Sequence, residues 1–394
     1  MFSKSSNISR RRPFVEKLGS MIWTYDDNVI KQLDAAKAIG LKYMRMNVYI
    51  KNADLDSGIG NFSTYDFAIS EAKKRGFSLL ISFHGETPVA NNADTNSQFT
   101  PERLAAFKKL TSDFIISHKG NNIVWEAFNE ANGDFWTTSP ESKSDVVIKA
   151  WTDFDLWLGA FVKENDQGST FATLCSISYY NAGFGKYKVA KDSVKKADSF
   201  GLFDENADLI SFHPYIPSYA NSGRPEVLIR DSPLSDLSPR AKSLPLIATE
   251  FGYSRDVASP KYNWQGLWSM ADAIKYTVRE SLIMDYLGWP IIIQYSLSGS
   301  NYSFLGPYAS LTPLSYAYYD FIKRMRGFSF YQKIKVIDNP SDFMQDLYCL
   351  EYHSKSKVMI VYWSPIGEVT HSASINGQTM SLDFSEDPKF LEVQ

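Results

Sequence analysis

The sequence predicts an α/β protein with a (β/α)8 TIM barrel over residues 1–326 and a small antiparallel, sandwich-like β domain packed on it over residues 327–394. Up to about residue 326, short apolar segments alternate with longer segments of helical period. The short segments are continuous runs rich in Val, Ile and Leu, which is typical of parallel strands buried on both faces. Beyond that point, short alternating segments are separated by Asn-Pro, Ser-Pro and Asn-Gly turn signals, which indicates antiparallel strands.

The predicted barrel strands follow one another at regular intervals. In chain order they occupy residues 17–23, 43–50, 78–84, 122–128, 170–178, 208–215, 244–251 and 290–296. So many strand–helix units favour a closed barrel over a doubly wound sheet, which is the alternative. A doubly wound sheet also usually has a glycine-rich turn after its first strand, and here that turn reads WTYDDN.

Helical segments lie between these strands. The apolar spacing of three and four residues is clearest over residues 27–40, 100–118 and 147–161. Gly40 follows the first of these segments as a C-terminal stop, and Pro101 stands at the first helical position of the second. These signals predict where the helices begin and end.

Composition narrows the classes of function. Hydrophobic residues make up 44% of the 394 residues, and the net charge of −3 gives no indication of a nucleic-acid or anionic-membrane partner. No segment approaches the roughly 18 consecutive apolar residues of a membrane span. The N-terminus lacks the apolar core of an intact signal peptide, so the location stays open between the cytoplasm and, if a signal was removed, the envelope or exterior. We expect a monomer.

Polar residues gather where the predicted strands end, which is where barrel enzymes place their catalytic groups. They comprise Arg45, His84, Asn129, Glu130, His213, Tyr215, Glu250 and Tyr295. Glu130 and Glu250 end strands four and seven, almost opposite each other around an eight-stranded ring. Glu126, inside strand four, is expected beside the site or at the surface and not as a catalytic group.

Two carboxyl groups that face each other across a pocket are what glycoside cleavage requires. One protonates the leaving oxygen, while the other attacks the anomeric carbon or activates water. An adjacent Arg45 favours the ionised form of one glutamate, and Tyr215 is able to donate a hydrogen bond to the same carboxylate. Asn129 is placed to bind a sugar 2-hydroxyl.

These motifs resemble those of clan A glycoside hydrolases, with families 5 and 39 closest in look. WEAFNEANGDFW resembles the strand-four signature that ends in Asn-Glu, and LPLIATEFGYS resembles the strand-seven motif. SFHPY, MRMN and SFHG resemble motifs of strands six, two and three. The resemblance implies a retaining β-glycosidase without a cofactor, with Glu130 as acid/base and Glu250 as nucleophile. It also implies a carboxyl separation of roughly 5 to 5.5 Å.

The sequence departs from the clan pattern at two places. Ala131 follows the acid/base position, where Pro is frequent, and strand eight reads IIIQYS without the Trp that often floors the cleaving subsite. Tyr295 or Gln294 is expected to take the place of that Trp. Trp23 and Trp136 lie beyond strand ends, so we predict that they stack on sugar rings.

Two other functions remain open at this point. A saccharide-binding barrel without activity would have the same fold, and a transglycosylase would use the same covalent intermediate. Scattered histidines do not predict a metal site, and no G-x-S-x-G sequence indicates a serine nucleophile. Residues 133–145 and 216–227 are long enough to wall a cleft, which favours endo action on a polysaccharide or oligosaccharide.

Overall fold

The computed structural model describes most of the chain. The described residues are 12–24, 28–85, 101–133, 136, 144–176, 185–217, 223–230, 232–255, 268–339 and 345–393. Within them, no helix has both the length and the apolar character needed to cross a membrane. Cys175 and Cys349 are buried free thiols.

Strands β1–β8 form a closed parallel barrel in chain order, which confirms the predicted fold class. They are β1 Leu18–Met21, β2 Tyr43–Ile50, β3 Ser78–Gly85, β4 Val124–Phe128, β5 Thr170–Ser176, β6 Leu209–Phe212, β7 Leu246–Phe251 and β8 Ile292–Gln294. The ring closes where Gly19 pairs with Tyr43 of β2 on one side and with Ile293 of β8 on the other.

The helices lie between and after these strands. They are α1 Val29–Ile39, α2 Asn52–Ser57, α3 Ser63–Lys74, α4 Pro101–Ser117, α5 Asp145–Asn165, α6 Gly185–Ser199, α7 Val227–Arg230, α8 Pro239–Ser243, α9 Met270–Tyr286 and α10 Pro313–Met325. Short 3-10 turns occupy Phe14–Lys17 and Pro307–Ala309. Gly40 ends α1 in the left-handed conformation (φ 101°), as its position in the sequence predicts.

Side chains that face the barrel interior change from apolar to polar along the strands. The lower layer is an apolar cluster that includes Tyr43, Leu80, Val124, Ala172, Leu209, Ile247 and Ile293. Two residues further along, the same faces of five of these strands carry Arg45, Ser82, Glu126, Ser211 and Thr249, all buried. The apolar layer therefore forms the floor beneath a polar chamber at the carboxyl ends of the strands.

The C-terminal strands form a sandwich-like unit. Strands β9 Ser329–Lys333, β10 Tyr348–His353, β11 Val358–Trp363 and β14 Lys389–Val393 make one sheet, and β12 Val369–Ile375 pairs with β13 Gln378–Phe384. Alternate residues of β10 face opposite ways: Leu350 joins the main core shared with the barrel, whereas Cys349 packs in a second core against the β12–β13 hairpin.

Buried polar contacts also join this unit to the barrel. The Glu226 carboxylate accepts hydrogen bonds from Arg279 Nε of α9 (3.0 Å) and from Trp363 Nε1 of β11 (2.8 Å). All three side chains are fully buried. The domain boundary at residue 326 stays a prediction, and residues on both sides of it share one hydrophobic core.

Candidate active site

The Arg45 guanidinium lies at the centre of the polar chamber. Its Nε donates to Glu126 (2.8 Å), Nη1 to Glu250 Oε1 (2.5 Å) and Nη2 to Asn129 Oδ1 (2.8 Å). The side chain is completely buried, so its positive charge depends on these acceptors. Burial alone would lower the pKa of Arg45, but Glu126 and then Glu250 outweigh it and raise the pKa well above its usual value.

Glu250 ends β7 with both carboxylate oxygens engaged. Arg45 holds Oε1, and the Tyr215 hydroxyl donates to Oε2 at 2.9 Å. The residue is 7% exposed. An arginine and a tyrosine therefore fix the orientation of this carboxylate.

Glu130 follows β4 on the opposite side of the chamber. His213 Nδ1 lies 2.7 Å from Glu130 Oε1 and 3.8 Å from Glu250 Oε2, so the imidazole stands between the two glutamates. An oxygen of Glu130 and an oxygen of Glu250 lie within 4.8 Å of each other. The structure thus brings together the two residues that the sequence singles out.

The backbone of Glu130 is strained. Its φ is 48°, in the left-handed region that non-glycine residues rarely adopt. Its amide donates to the Cys175 carbonyl of β5 (3.0 Å), and its carbonyl accepts from Gly133 N (2.8 Å). Such conformations persist when surrounding contacts over-determine them, and they cluster at functional sites.

The pKa values of the two histidines of the site are shifted in opposite directions. Burial would lower the pKa of His213, but Glu250 and Glu130 outweigh burial and raise it. Burial lowers the pKa of His84 to about 4, and the ring stacks on Phe128 at 5.6 Å. His84 is therefore neutral near pH 7, whereas His213 gains a proton readily when both glutamates are ionised.

Glu126 lies beneath the reacting groups and is fully buried. It accepts hydrogen bonds from Arg45 and from Ser211, whose hydroxyl also lies 2.7 Å from Thr249. Burial would raise the pKa of Glu126, but Arg45 followed by His213 outweighs it and lowers the pKa. Glu126 is thus an ionised support for Arg45 and has no route to a substrate in this arrangement.

A cluster of aromatic side chains lies near Glu250. Tyr295 lies 6.3 Å from Tyr215, 5.8 Å from Tyr302 and 6.1 Å from Trp23, measured between ring centroids. Gln294 instead points its amide nitrogen at backbone carbonyls of Tyr295 and Tyr302. Of the two residues expected to replace the strand-eight Trp, Tyr295 is therefore the one placed at the chamber. Trp23 is partly exposed there, and its stacking on a sugar stays a prediction.

Trp136 lies in the hydrophobic core, away from the position predicted for it. It is only 1% exposed and packs against Phe128 (5.1 Å) and Phe154 (5.7 Å) in the hydrophobic core. The predicted stacking on a sugar ring does not fit this placement, because a stacking platform needs an exposed ring face and Trp136 is buried. A tryptophan just beyond a strand end turns inward or outward according to its loop, and the sequence alone does not decide which.

Sequence reasoning missed two groups of the chamber, Cys175 and Ser82. Cys175 Sγ lies 3.5 Å from Arg45 Nη2, and Ser82 Oγ lies 3.2 Å from the same nitrogen. Ser82 could have been predicted, because it lies two residues after Leu80 and therefore on the same inward face of β3. Cys175 was not, because simple alternation from Ala172 would place Leu174 inside.

The chamber also has the spacing for a metal ion. Within the described residues, two groups place ligand atoms within 4.8 Å of one another: Glu126, Cys175 and His213, and Glu130, His213 and Glu250. Arg45 contacts members of both groups, so a cation would meet a guanidinium there. The donor set therefore suits a substrate that carries hydroxyl groups better than a divalent ion.

Solved structures of glycoside hydrolases share this fold. A family 39 glycoside hydrolase from the gut symbiont Bacteroides cellulosilyticus WH2 aligns with a TM-score of 0.66 and 15% identity over 98% of this chain and 82% of that chain. A family 30 subfamily 8 xylanase from Clostridium acetobutylicum aligns with a TM-score of 0.57 and 15% identity over 92% and 84% of the respective chains.

The endo-1,4-beta-mannanase from Rhizomucor miehei aligns with a TM-score of 0.55 and 16% identity over 78% of this chain and 94% of that chain. No protein-family model matches the sequence, and neither does any curated protein. At these identities the likeness establishes the fold, and the barrel expected from the resemblance is confirmed.

Proposed function

We propose that this chain is a retaining glycoside hydrolase that cleaves β-glycosidic bonds in an oligosaccharide or polysaccharide. One observation carries the proposal: two glutamate carboxyl groups face each other at the open end of a closed barrel, with oxygens within 4.8 Å. Inverting enzymes separate their carboxyl groups by about 6.5 to 9.5 Å, because a water molecule must fit beside the sugar. The close approach of two carboxyl oxygens supports direct attack by a carboxylate.

Glu250 is the nucleophile in this proposal. Arg45 and Tyr215 hold its two oxygens in position before attack. When Glu250 attacks the anomeric carbon, the bond to the leaving oxygen breaks and a glycosyl ester forms on the carboxylate. The same two donors then lie beside the ester, where they favour its departure as a carboxylate in the second step.

Glu130 is the acid/base. His213 binds its Oε1, so the other carboxyl oxygen is available to the leaving group. Glu130 gives its proton to that oxygen in the first step and takes a proton from water in the second. Arg45 orients Asn129 by its Oδ1, which leaves the amide nitrogen to donate to a sugar hydroxyl.

Endo action on a polysaccharide is the more specific part of the proposal. It is supported by the names of two structural neighbours, a xylanase and an endo-mannanase, which act on polymers. The segments expected to wall a cleft, 133–145 and 216–227, lie partly outside the described residues. The size of the products therefore decides between endo and exo action.

The test compares wild type with Glu250→Gln on xylan, mannan, β-glucan, chitin and peptidoglycan. Reducing ends and product lengths are measured over time. We expect one substrate to give short oligomers with wild type, and the variant to lose at least about 10³-fold in rate, since nucleophile and general acid contributions are of this size. Product anomers followed by NMR should retain the β configuration.

Glu351→Gln is the matched control. It removes the charge of another glutamate that is 7% exposed, in β10 and far from the chamber, so its activity should equal that of wild type. Equal turnover by wild type and Glu250→Gln would overturn the assignment of the nucleophile. Binding of a glycan without turnover would support the saccharide-binding alternative, and longer products would indicate transglycosylation.

A further inference from the structure

Strand β5 contains a bulge at Leu174–Cys175. Thr173 pairs with Ile210 of β6, but Ser176 pairs with Phe212, so β5 uses one residue more than its neighbour over the same length. Leu174 and Cys175 both have positive φ, 84° and 40°. Two consecutive non-glycine residues in the left-handed region cost about 1–3 kcal/mol each, so neighbouring contacts must hold them.

The bulge changes which side chain enters the chamber. Regular alternation from Ala172 would turn Leu174 inward, whereas the extra residue turns Cys175 inward instead. Its Sγ lies 3.5 Å from Arg45 Nη2, 3.6 Å from Asn129 Oδ1 and 3.6 Å from His213 Nε2. The side chain at this point is small, which leaves room for the guanidinium beside it.

The bulge also supports the acid/base segment through the backbone. The Cys175 carbonyl accepts from the Glu130 amide (3.0 Å), and the next carbonyl, Ser176, accepts from the His213 amide (2.9 Å). Ser176 Oγ in addition accepts from Asn132 Nδ2 at 2.9 Å. The strained φ of Glu130 and the position of its His213 partner therefore both depend on where β5 places these carbonyls.

Asp155 of α5 holds the bulge from behind. Its Oδ1 accepts from the Thr173 hydroxyl (2.9 Å) and its Oδ2 from the Leu174 amide (2.8 Å). The residue is only 3% exposed, and no strand partner of the barrel provides these contacts. Burial, opposed by the Leu174 and Thr173 hydrogen bonds, raises the pKa of Asp155 to about 7, so the carboxyl is held in place despite a cost.

We propose that Asp155 is a positioning residue for the acid/base, which it orients by fixing the Leu174–Cys175 bulge whose carbonyl receives the Glu130 amide. This inference rests on the proposed function, because an acid/base has meaning only in glycoside cleavage. Asp155 itself lies behind the strand and touches no substrate. Losing it displaces the Glu130 carboxyl from the leaving oxygen while Arg45 and Tyr215 keep the Glu250 nucleophile in place.

The experiment uses a difference between substrates. The substrates are the phenyl and the 2,4-dinitrophenyl β-glycoside of the sugar that the polysaccharide test identifies. Both react through the nucleophilic step, but only the phenyl glycoside needs a proton on its leaving oxygen. For Asp155→Leu we expect kcat/KM to fall at least about tenfold more on the phenyl glycoside than on the dinitrophenyl glycoside. A purely structural defect would lower both rates equally.

Three further variants sharpen the comparison. Asp155→Asn should stay close to wild type, because its oxygen still accepts from Leu174 N while its nitrogen donates to the Thr173 hydroxyl oxygen. Thr173→Val removes one of the two contacts and should shift the rate ratio in the same direction by about threefold, even if Asp155→Leu fails to fold. Thr152→Val is the control: its hydroxyl binds only the Ile148 carbonyl of the same helix, so the ratio should not change.

A second measurement needs no substrate. In a Cys349→Ala background, the rate at which Cys175 reacts with Ellman's reagent reports release of the bulge. We expect faster labelling in Thr173→Val and Asp155→Leu than in wild type at unchanged far-UV circular dichroism. If wild type cleaves glycosides but the variants keep its rate ratio and labelling rate, the inference is overturned. If wild type cleaves nothing, the proposed function fails, and labelling alone decides whether Asp155 holds the bulge.

Discussion

Arg45 illustrates how a buried charge becomes useful at the scale of one residue. Moving an unpaired guanidinium out of water costs several kcal/mol. Here each of its nitrogen atoms has an acceptor, and two of these acceptors are the carboxylates Glu126 and Glu250. The arrangement holds Glu250, the nucleophile of the proposed mechanism, in place while only 7% of the residue is exposed. Glu126 thus acts on the reaction only through the guanidinium that it holds.

His84 leads to a prediction about acid stability. Its pKa of about 4 in the folded protein, against the usual 6.5, corresponds to about 3 kcal/mol that the fold loses as pH falls from 6.5 to 4. The sign follows because the unfolded chain takes up the proton first. The glutamine of His84→Gln takes up no proton. Over this pH interval, the unfolding free energy of the variant should therefore fall by up to about 3 kcal/mol less than that of wild type. Urea unfolding at a series of pH values measures it.

Asp155 has the opposite effect on the unfolding free energy. Because its pKa is raised, it stabilises the folded protein as pH falls from about 7. Wild type and variant share this contribution, so it cancels in their difference. His371→Gln, in the β12–β13 hairpin and partly exposed, serves as the control and should show wild-type dependence. An unchanged slope in His84→Gln would contradict the neutral, buried state of His84.

The residues that sequence predicted well are those whose direction the strand fixes. Arg45 lies inside β2 and Glu250 near the end of β7, so the barrel strands direct both side chains inward whatever the loops do. Trp136 lies eight residues beyond Phe128, the end of β4, and there the loop decides whether the ring faces solvent or core. The sequence alone does not distinguish a buried tryptophan from a sugar-stacking one, because an indole packs well in a core and also against a sugar ring.

At the scale of elements, the apolar runs predicted all barrel strands because each strand is buried on both faces. The bulge in β5 was not predictable in the same way. Its sequence, Thr-Leu-Cys-Ser, contains no glycine to indicate a left-handed position, and the conformation depends on a carboxylate that a different element provides. Contacts of this kind become visible only when the helix and strand are placed together.

Closure of the barrel depends on a glycine in β1. A methyl group on Gly19 would lie 2.6 Å from Ile293 Cδ1 and from both Cβ and the carbonyl oxygen of Tyr43. Gly19→Ala therefore has to push apart the strands that close the ring, which should cost at least about 2 kcal/mol of unfolding free energy. Urea unfolding monitored by tryptophan fluorescence measures the loss.

Gly168→Ala is the matched control. Its added methyl group would meet only Asn122 Oδ1, at 3.3 Å in an exposed turn before β5. We expect less than about 0.5 kcal/mol for this change. Similar losses in the two variants would mean that crowding at Gly19 is relieved without separating β1 from its neighbours.

For the whole molecule, the C-terminal sheet belongs to the same core as the barrel. Leu350, Val361 and Trp363 pack in one cluster with Phe14 and Phe321. The sequence predicted an appended domain because the hydrophobic period changes after residue 326. A change in period marks where the architecture changes, but it does not say whether the two parts can fold separately.

Glu226 offers a test of this coupling. Its carboxylate binds Arg279 of α9 and Trp363 of β11, and removal would leave a fully buried guanidinium without its acid partner. Glu226→Ala should therefore cost about 3–5 kcal/mol of unfolding free energy. Denaturation followed both by fluorescence and by circular dichroism measures this loss.

The control is a partly exposed pair across the same boundary. Lys275 of α9 lies 2.7 Å from Glu386 after β13, and the Glu386 side chain is 30% exposed. Glu386→Ala should cost less than about 1 kcal/mol, because solvent screens the interaction. A loss in Glu226→Ala as small as that of the control would show that the buried pair contributes little to joining sheet and barrel.

The Arg45 network also limits how descendants of this chain can change. Any single substitution of Arg45 leaves the buried Glu126 without its guanidinium partner, and any single loss of Glu126 leaves the guanidinium short of a counter-charge. Both intermediates are penalised, so this pair can be exchanged only by simultaneous mutation. Glu130 lies at the rim with 9% of its surface exposed and carries no such penalty. A lineage that abandoned catalysis would therefore lose Glu130 first and retain Arg45 and Glu126 as a trace of its ancestry.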